Sequence, residues 1–125
     1  MSYVFESNDI TIWEPSRNVA TCFLAQLQFL ENLVGTTSGL NESMSDTIEI
    51  DRSSLQRFLQ QVITKVNWEN SSLSLLLHGA VVHLLGLAMS DGNLSVTQID
   101  RLPSRWVEEA RQFAESSTHP GMTAT

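Results

Sequence analysis

The sequence predicts a mainly α protein: a four-helix bundle-like domain with a small N-terminal β-hairpin or short sheet. Three observations predict it. Apolar residues recur at helical spacing in four separate stretches, alternating β-branched and aromatic residues are concentrated near the N-terminus, and no internal repeat or Pro/Gly-rich linker divides the chain. Together these give one globular domain over residues 1–117 and a frayed tail over residues 118–125. At 125 residues the chain is long enough to bury a core without disulfide staples.

The stretch YVFESNDITIW alternates around Ser7, Asn8 and Asp9, which favour turns, so it predicts a hairpin with strands near residues 3–6 and 10–13. Two strands alone are marginal, and DTIEID, residues 46–51, is a short β candidate to join them. Between them, EPSRNVATCFLAQLQFLENLVG predicts the first helix, with Pro15 at its first position and Gly35 just past its end. Its apolar stripe is read as Val19, Cys22, Phe23, Leu27, Leu30 and Val34. TTSGLNESMS is polar with a turn glycine and reads as a mobile loop.

Asp51 is the N-cap expected for the second helix, in which Leu55, Phe58, Leu59, Val62 and Val66 face inward while Gln56, Arg57, Gln60, Thr64 and Lys65 form a wet face. NWENSS makes the next turn. LSLLLHGAVVHLLGLAM, residues 73–89, reads as a buried third helix ending near Gly92, because its serine, histidines and glycines make it too short and too polar for a membrane span. The fourth helix starts near Pro103, with Trp106, Val107, Ala110 and Phe113 inward and an Arg105–Glu109 pair outside.

Charge is unevenly spread. The formal net charge is −7, and residues 1–51 hold eight acids against the single base Arg17, while the remainder holds six of each. Such a surface repels nucleic acid and suits a basic partner. The single cysteine, Cys22, excludes an internal disulfide, and the N-terminus has neither a basic nor an apolar leader segment. Both features suit a cytoplasmic location, in which the sequons at Asn41, Asn70 and Asn93 would stay unmodified.

HGAVVHLLG is the stretch that invites a functional reading. His78 and His83 are five residues apart and diverge by roughly 140° on a helix, so they cannot share a metal as an i, i+4 pair does. His83 shares a face with Gly79 and Gly86, which reads either as a ligand slot or as close approach of another helix; packing is the favoured reading. Cys22 reads as a buried, inert thiol. The run from Asp91 begins like a calcium loop but has Val96 at the glycine position and Leu102 at the bidentate position. Trp13, Trp68 and Trp106 read as core filling rather than partner anchors.

With YVFES, WEPSRNVATCFLAQLQFLE, GTTSGL and TIEID in place, the chain resembles an uncharacterised family of small bacterial proteins, a domain of unknown function. Trp13, Pro15, Ser16, Val19, Phe23, Gly39, Glu49, Ile50 and Asp51 carry the resemblance, which covers about residues 3–90. It implies a bacterial cytoplasmic protein with a compact helical fold, and it brings no activity.

The expectation is therefore a non-enzymatic protein-binding module, an acidic immunity- or antitoxin-type inhibitor whose Glu42, Asp46 and Glu49 contact a basic protein. No catalytic residue, metal, cofactor, nucleic acid or membrane is expected. The alternatives are a structural or regulatory homo-oligomer, a helical dimer using the Gly79/Gly86 face or a tryptophan, and a small-molecule binder on the His78/His83 helix.

Overall fold

The computed structural model describes residues 2–44, 46–90 and 94–117. Among them the chain runs β1 (Val4–Ser7), β2 (Ile10–Trp13), α1 (Arg17–Val34), β3 (Leu40–Met44), β4 (Thr47–Ile50), α2 (Arg52–Lys65), α3 (Ser71–Met89), a 3-10 turn (Ile99–Arg101) and α4 (Ser104–Ser117). The four strands form one mixed sheet in the order β2-β1-β4-β3. This corrects the predicted four-helix bundle: the protein is α+β, a sheet covered on one face by helices, not a bundle with a hairpin beside it.

Two antiparallel hairpins are joined through their inner strands, β1 and β4, which pair parallel with Phe5 beside Ile48 and Glu6 beside Glu49. A parallel pair needs a crossover, and α1 is part of it. The first hairpin turns on Asn8 and Asp9, both in the left-handed region at φ 53° and 66°, which matches the twist of a two-residue loop. The predicted loop at residues 36–45 is instead a connector followed by an edge strand. β3 is polar because it pairs on one side only, with β4, so its pattern resembles a loop.

The connector is tightly built. Gly35 closes α1 in the left-handed region and donates its N–H to the Glu31 carbonyl. Ser38 is fully buried and donates its N–H to Glu31 Oε2 at 2.9 Å. Gly39, at φ 81°, passes so close to α2 that a Cβ there would lie 2.7 Å from Ser54 Cβ and 2.8 Å from the Asp51 carbonyl oxygen.

Helix ends follow capping chemistry. Asp51 caps α2 as expected, accepting from the Ser54 N–H, and Asn70 caps α3 by accepting from Leu73. At α1 the cap is Ser16, not a helical Pro15; Pro15 sits before it, and its carbonyl accepts the Tyr3 N–H. The α1 stripe also shifts. Ala20, Phe23, Leu27, Leu30 and Val34 are buried, whereas Val19 and Cys22 face solvent, so the buried inert thiol expected at Cys22 is corrected to an exposed one.

Phe5, Ile12, Ile48 and Ile50 of the sheet and the apolar stripes of α1 and α2 belong to one core. Residues 77–88 of α3 are buried nearly all round. This helix is long and apolar enough to cross a membrane, yet here half of it is covered by its neighbours, as in the core helix of a globular domain. The α2 face expected to be wet instead holds residues 95–97: Gln56 Oε1 accepts the Ser95 N–H, and Gln60 both accepts from Thr97 N–H and donates to its carbonyl. Gly92 and the tail at 118–125 lie outside the described residues.

Two predictions follow from these joints. Gly35→Ala, with open space around it, should cost about 1 kcal/mol from left-handed strain alone, and Gly39→Ala more than about 2 kcal/mol because clash is added to strain; urea unfolding measures both. The Asp51 carboxyl is held below 3.8, chiefly by the Ser54 N–H and then by the Ser53 hydroxyl. A depressed folded value stabilises the fold above the unfolded value and loses that contribution as pH falls through the lowered one. Wild type should therefore exceed Asp51→Asn in unfolding stability at neutral pH, and the gap should close in acid.

Candidate functional site

The sheet concentrates the charge. Segments 2–16 and 40–51, which contain every strand and the two hairpin turns, hold seven acids and no base; the other seven acids and all seven bases lie elsewhere. The entire net charge of −7 thus belongs to the sheet layer.

Alternation along the strands decides which acids share a face. Phe5, Ile48 and Ile50 point into the core, so Glu6 and Glu49 point to the wet side, side by side in the parallel register. Across the sheet from β2 to β3 the outer row reads Thr11, Glu6, Glu49, Asn41. Among the described residues neither glutamate is in an ion pair.

Of the three predicted contacts, Glu49 sits at the centre of this face. Asp46 lies in the β3–β4 turn, where its carbonyl accepts the Val4 N–H at 2.9 Å. Glu42 is exposed but opposes Ile48, on the other side of the edge strand from Glu49. The three therefore do not form one patch. Sequence reasoning missed Glu6, whose signal was the alternation of YVFES once β1 is known to pair with β4.

The two histidines point to different neighbours. His78 stacks on Trp106 with ring centroids 4.8 Å apart, and its Nε2 donates to Glu109 Oε1 at 2.7 Å. Glu109 thus turns to His78 rather than to Arg105. Both side chains are partly exposed, so the pair contributes at most about 1 kcal/mol. His83 lies among Trp13, Phe23 and Phe113, 4.8 to 6.2 Å away, and its Nδ1 donates to the Gly79 carbonyl at 2.7 Å. That bond puts the proton of the neutral ring on Nδ1.

The glycine face divides in two. A Cβ on Gly86 would overlap the Phe113 ring and stand 3.1 Å from the Ala110 carbonyl oxygen, so Gly86 is where α4 closes on α3. Gly79 has open space around it. α4 of the same chain thus occupies the Gly86 half of the face expected to serve a helical dimer, and the Gly79 half is open. Trp68 and Trp106 are buried against each other, and Trp13 packs on Phe5 and Phe23.

Among the described residues no group of three or more His, Cys, Asp or Glu converges to hold a metal ion. Asp91 and Asn93 of the calcium-like run lie outside them. A surface depression lined by Ile99, Leu102, Val107 and Arg111 has neither histidine in its lining.

A family model described as a family of unknown function, DUF6086, matches residues 1–118. No curated protein and no solved structure matches the chain.

The glycine assignment predicts opposite outcomes for two alanines in one helix. Gly79→Ala should be neutral or stabilising by up to about 1 kcal/mol through helix propensity, whereas Gly86→Ala should cost about 1–3 kcal/mol by forcing α4 away from α3. Thermal unfolding of the two variants checks this.

Proposed function

The chain belongs to DUF6086, a family of unknown function, and we propose that it is a non-enzymatic protein-binding module, an acidic inhibitor of the immunity or antitoxin type that covers a basic protein. The observation that carries this reading is the Glu6–Glu49 pair on the wet face of a sheet layer with seven acids and no base. Like charges in lateral register weaken a sheet. A cationic side chain laid across them converts the repulsion into attraction, and a guanidinium fork suits two carboxylate acceptors best.

The chemistry of that face favours a protein over other ligands. Carboxylates without bases repel a phosphate backbone. The outer row offers polar and charged groups rather than the apolar lining that small ligands use. Association through such a face is fast and sensitive to salt, because complementary fields steer the encounter. Glu49 and Glu6 are the central contacts in this reading, with Asp46 in the adjoining turn; Glu42, on the other side of β3, lies outside this face.

The experiment is affinity purification from the native host at about 0.1 M and about 1 M salt, where charges act over about 10 Å and about 3 Å. A stoichiometric basic protein, held at low salt and lost at high salt, is expected. Glu49→Lys should then slow association about tenfold, within the range steering provides. The same variant should keep or raise the melting temperature, because a lysine beside Glu6 relieves the like-charge pair. A partner retained at high salt and indifferent to Glu49→Lys would overturn the reading.

A further inference from the structure

The two edges of the sheet differ. β2, at one end, carries no charged residue; β3, at the other, carries Glu42 and has β4 on one side only. Asn41, Glu42 and Ser43 are all exposed. The phase of the β3–β4 ladder fixes which backbone groups look outward. The Asp51 N–H donates to the Gly39 carbonyl at 2.8 Å, so Gly39 and Asp51 stand opposite each other as a hydrogen-bonded pair. Two steps along, Asn41 and Glu49 are the next such pair, and the residues that alternate with them, Leu40 and Glu42, turn their backbone groups away from β4.

The Leu40 N–H is directed to Ser38 Oγ at 3.3 Å. The Leu40 carbonyl and then the N–H and carbonyl of Glu42 line the open side of β3, where no strand lies among the described residues. Such a row matches the backbone of another extended chain. Proteins blunt open edges with lysine or proline, and residues 40–44 contain neither. The register shift after Glu42 ends the row without covering it.

Side chains supply the second half of the match. Glu42 opposes Ile48 and so belongs to the helix side of the sheet, whereas Glu49 belongs to the outer face and is separated from the edge by Asn41 alone. A strand added beside β3 sends successive side chains to these two sides in turn. On one side its residue stands next to Glu42. On the other it stands next to Asn41, two strand spacings or about 10 Å from Glu49, a gap that an arginine and a glutamate leaning toward each other close over the short Asn41. Glu42 and Glu49 share no face, yet a chain that occupies the edge meets both.

Resting on the reading of the chain as an acidic inhibitor, we infer that its basic partner is held by strand addition: an extended segment of the partner, cationic at two successive residues, pairs with β3 as a fifth strand of the sheet. The cations are successive because the two carboxylates lie on opposite sides. A second copy of the chain fits the edge poorly, since its own β3 would bring another Glu42 and a further −7 to the same place. A nucleic acid offers no alternating amide donors and acceptors, and the carboxylates repel its phosphates.

Two blocked peptides of one composition, Thr-Arg-Arg-Val-Thr and Thr-Arg-Val-Arg-Thr, test this by NMR of the isotope-labelled chain at about 0.1 M salt. The first sends its arginines to opposite sides of the edge, the second to one side. The first should bind about two- to fivefold more tightly, the effect of one exposed ion pair. Glu42→Gln and Glu49→Gln should each remove that advantage, and Glu115→Gln, exposed on α4, should leave it. At saturation, exchange of the Glu42 amide hydrogen should slow more than about tenfold. Equal binding of the two peptides, no binding of either, or unchanged Glu42 exchange at saturation would overturn strand addition. So would slow Glu42 exchange in the free chain that speeds up on dilution, which gives the edge to a second copy. The inhibitor reading is judged apart from this: a salt-sensitive basic partner from the host that leaves Glu42 exchange unchanged keeps that reading and overturns the added strand.

Discussion

The parallel pairing of β1 with β4 is the constraint on which the rest of the architecture depends. Each strand is already half of a hairpin, and neither hairpin could stand alone in water. Joining them through their inner strands makes one sheet, and the parallel sense places α1 in the connection between them. One register then sets both faces. Phe5 beside Ile48 gives the helices an apolar floor, and the next step along the same ladder sets Glu6 beside Glu49 on the side the helices do not cover. A slip by one residue would exchange those faces, burying two carboxylates and exposing the floor, so the core and the acidic surface are fixed by the same hydrogen bonds.

On that frame, small residues decide how closely the helices close. Gly39 lets the connector run against Ser54 and Asp51, and Gly86 lets α4 rest on α3 through Phe113 and Ala110. The aromatic cluster of Phe5, Trp13, Phe23, His83 and Phe113 then ties the sheet, α1, α3 and α4 together. His83 belongs to this cluster as a packing ring whose polar edge is satisfied by the Gly79 carbonyl, which accounts for a histidine in so apolar a stretch.

Much of this was legible in the sequence where one physical signal dominated. The Asn8-Asp9 turn, the Asp51 cap, the α2 stripe and the left-handed Gly35 follow from local chemistry, and each stands where residue type alone puts it. Two kinds of information were not local. β3 is polar because it is an edge strand, and only its pairing with β4 distinguishes it from a loop. Val19 and Cys22 extend the apolar stripe of α1 to about half its circumference, so hydrophobicity alone could not say which half is buried. The acidic candidate site was legible as a segment but not as a face: Glu49 belongs to it, Glu6 enters through long-range pairing, and the register turns Glu42 to the other side.

Charge is layered through the molecule: the strand-bearing segments hold seven acids and no base, and all seven bases lie outside them. α1 meets the sheet through Phe23, whose ring packs edge-on against Phe5. Any arrangement that brought the sheets together would set Glu6 and Glu49 of one copy against the same pair of the next. Layering the charge in this way leaves the acidic face open to a basic partner, and a chain with the same composition but mixed charges would have no such surface.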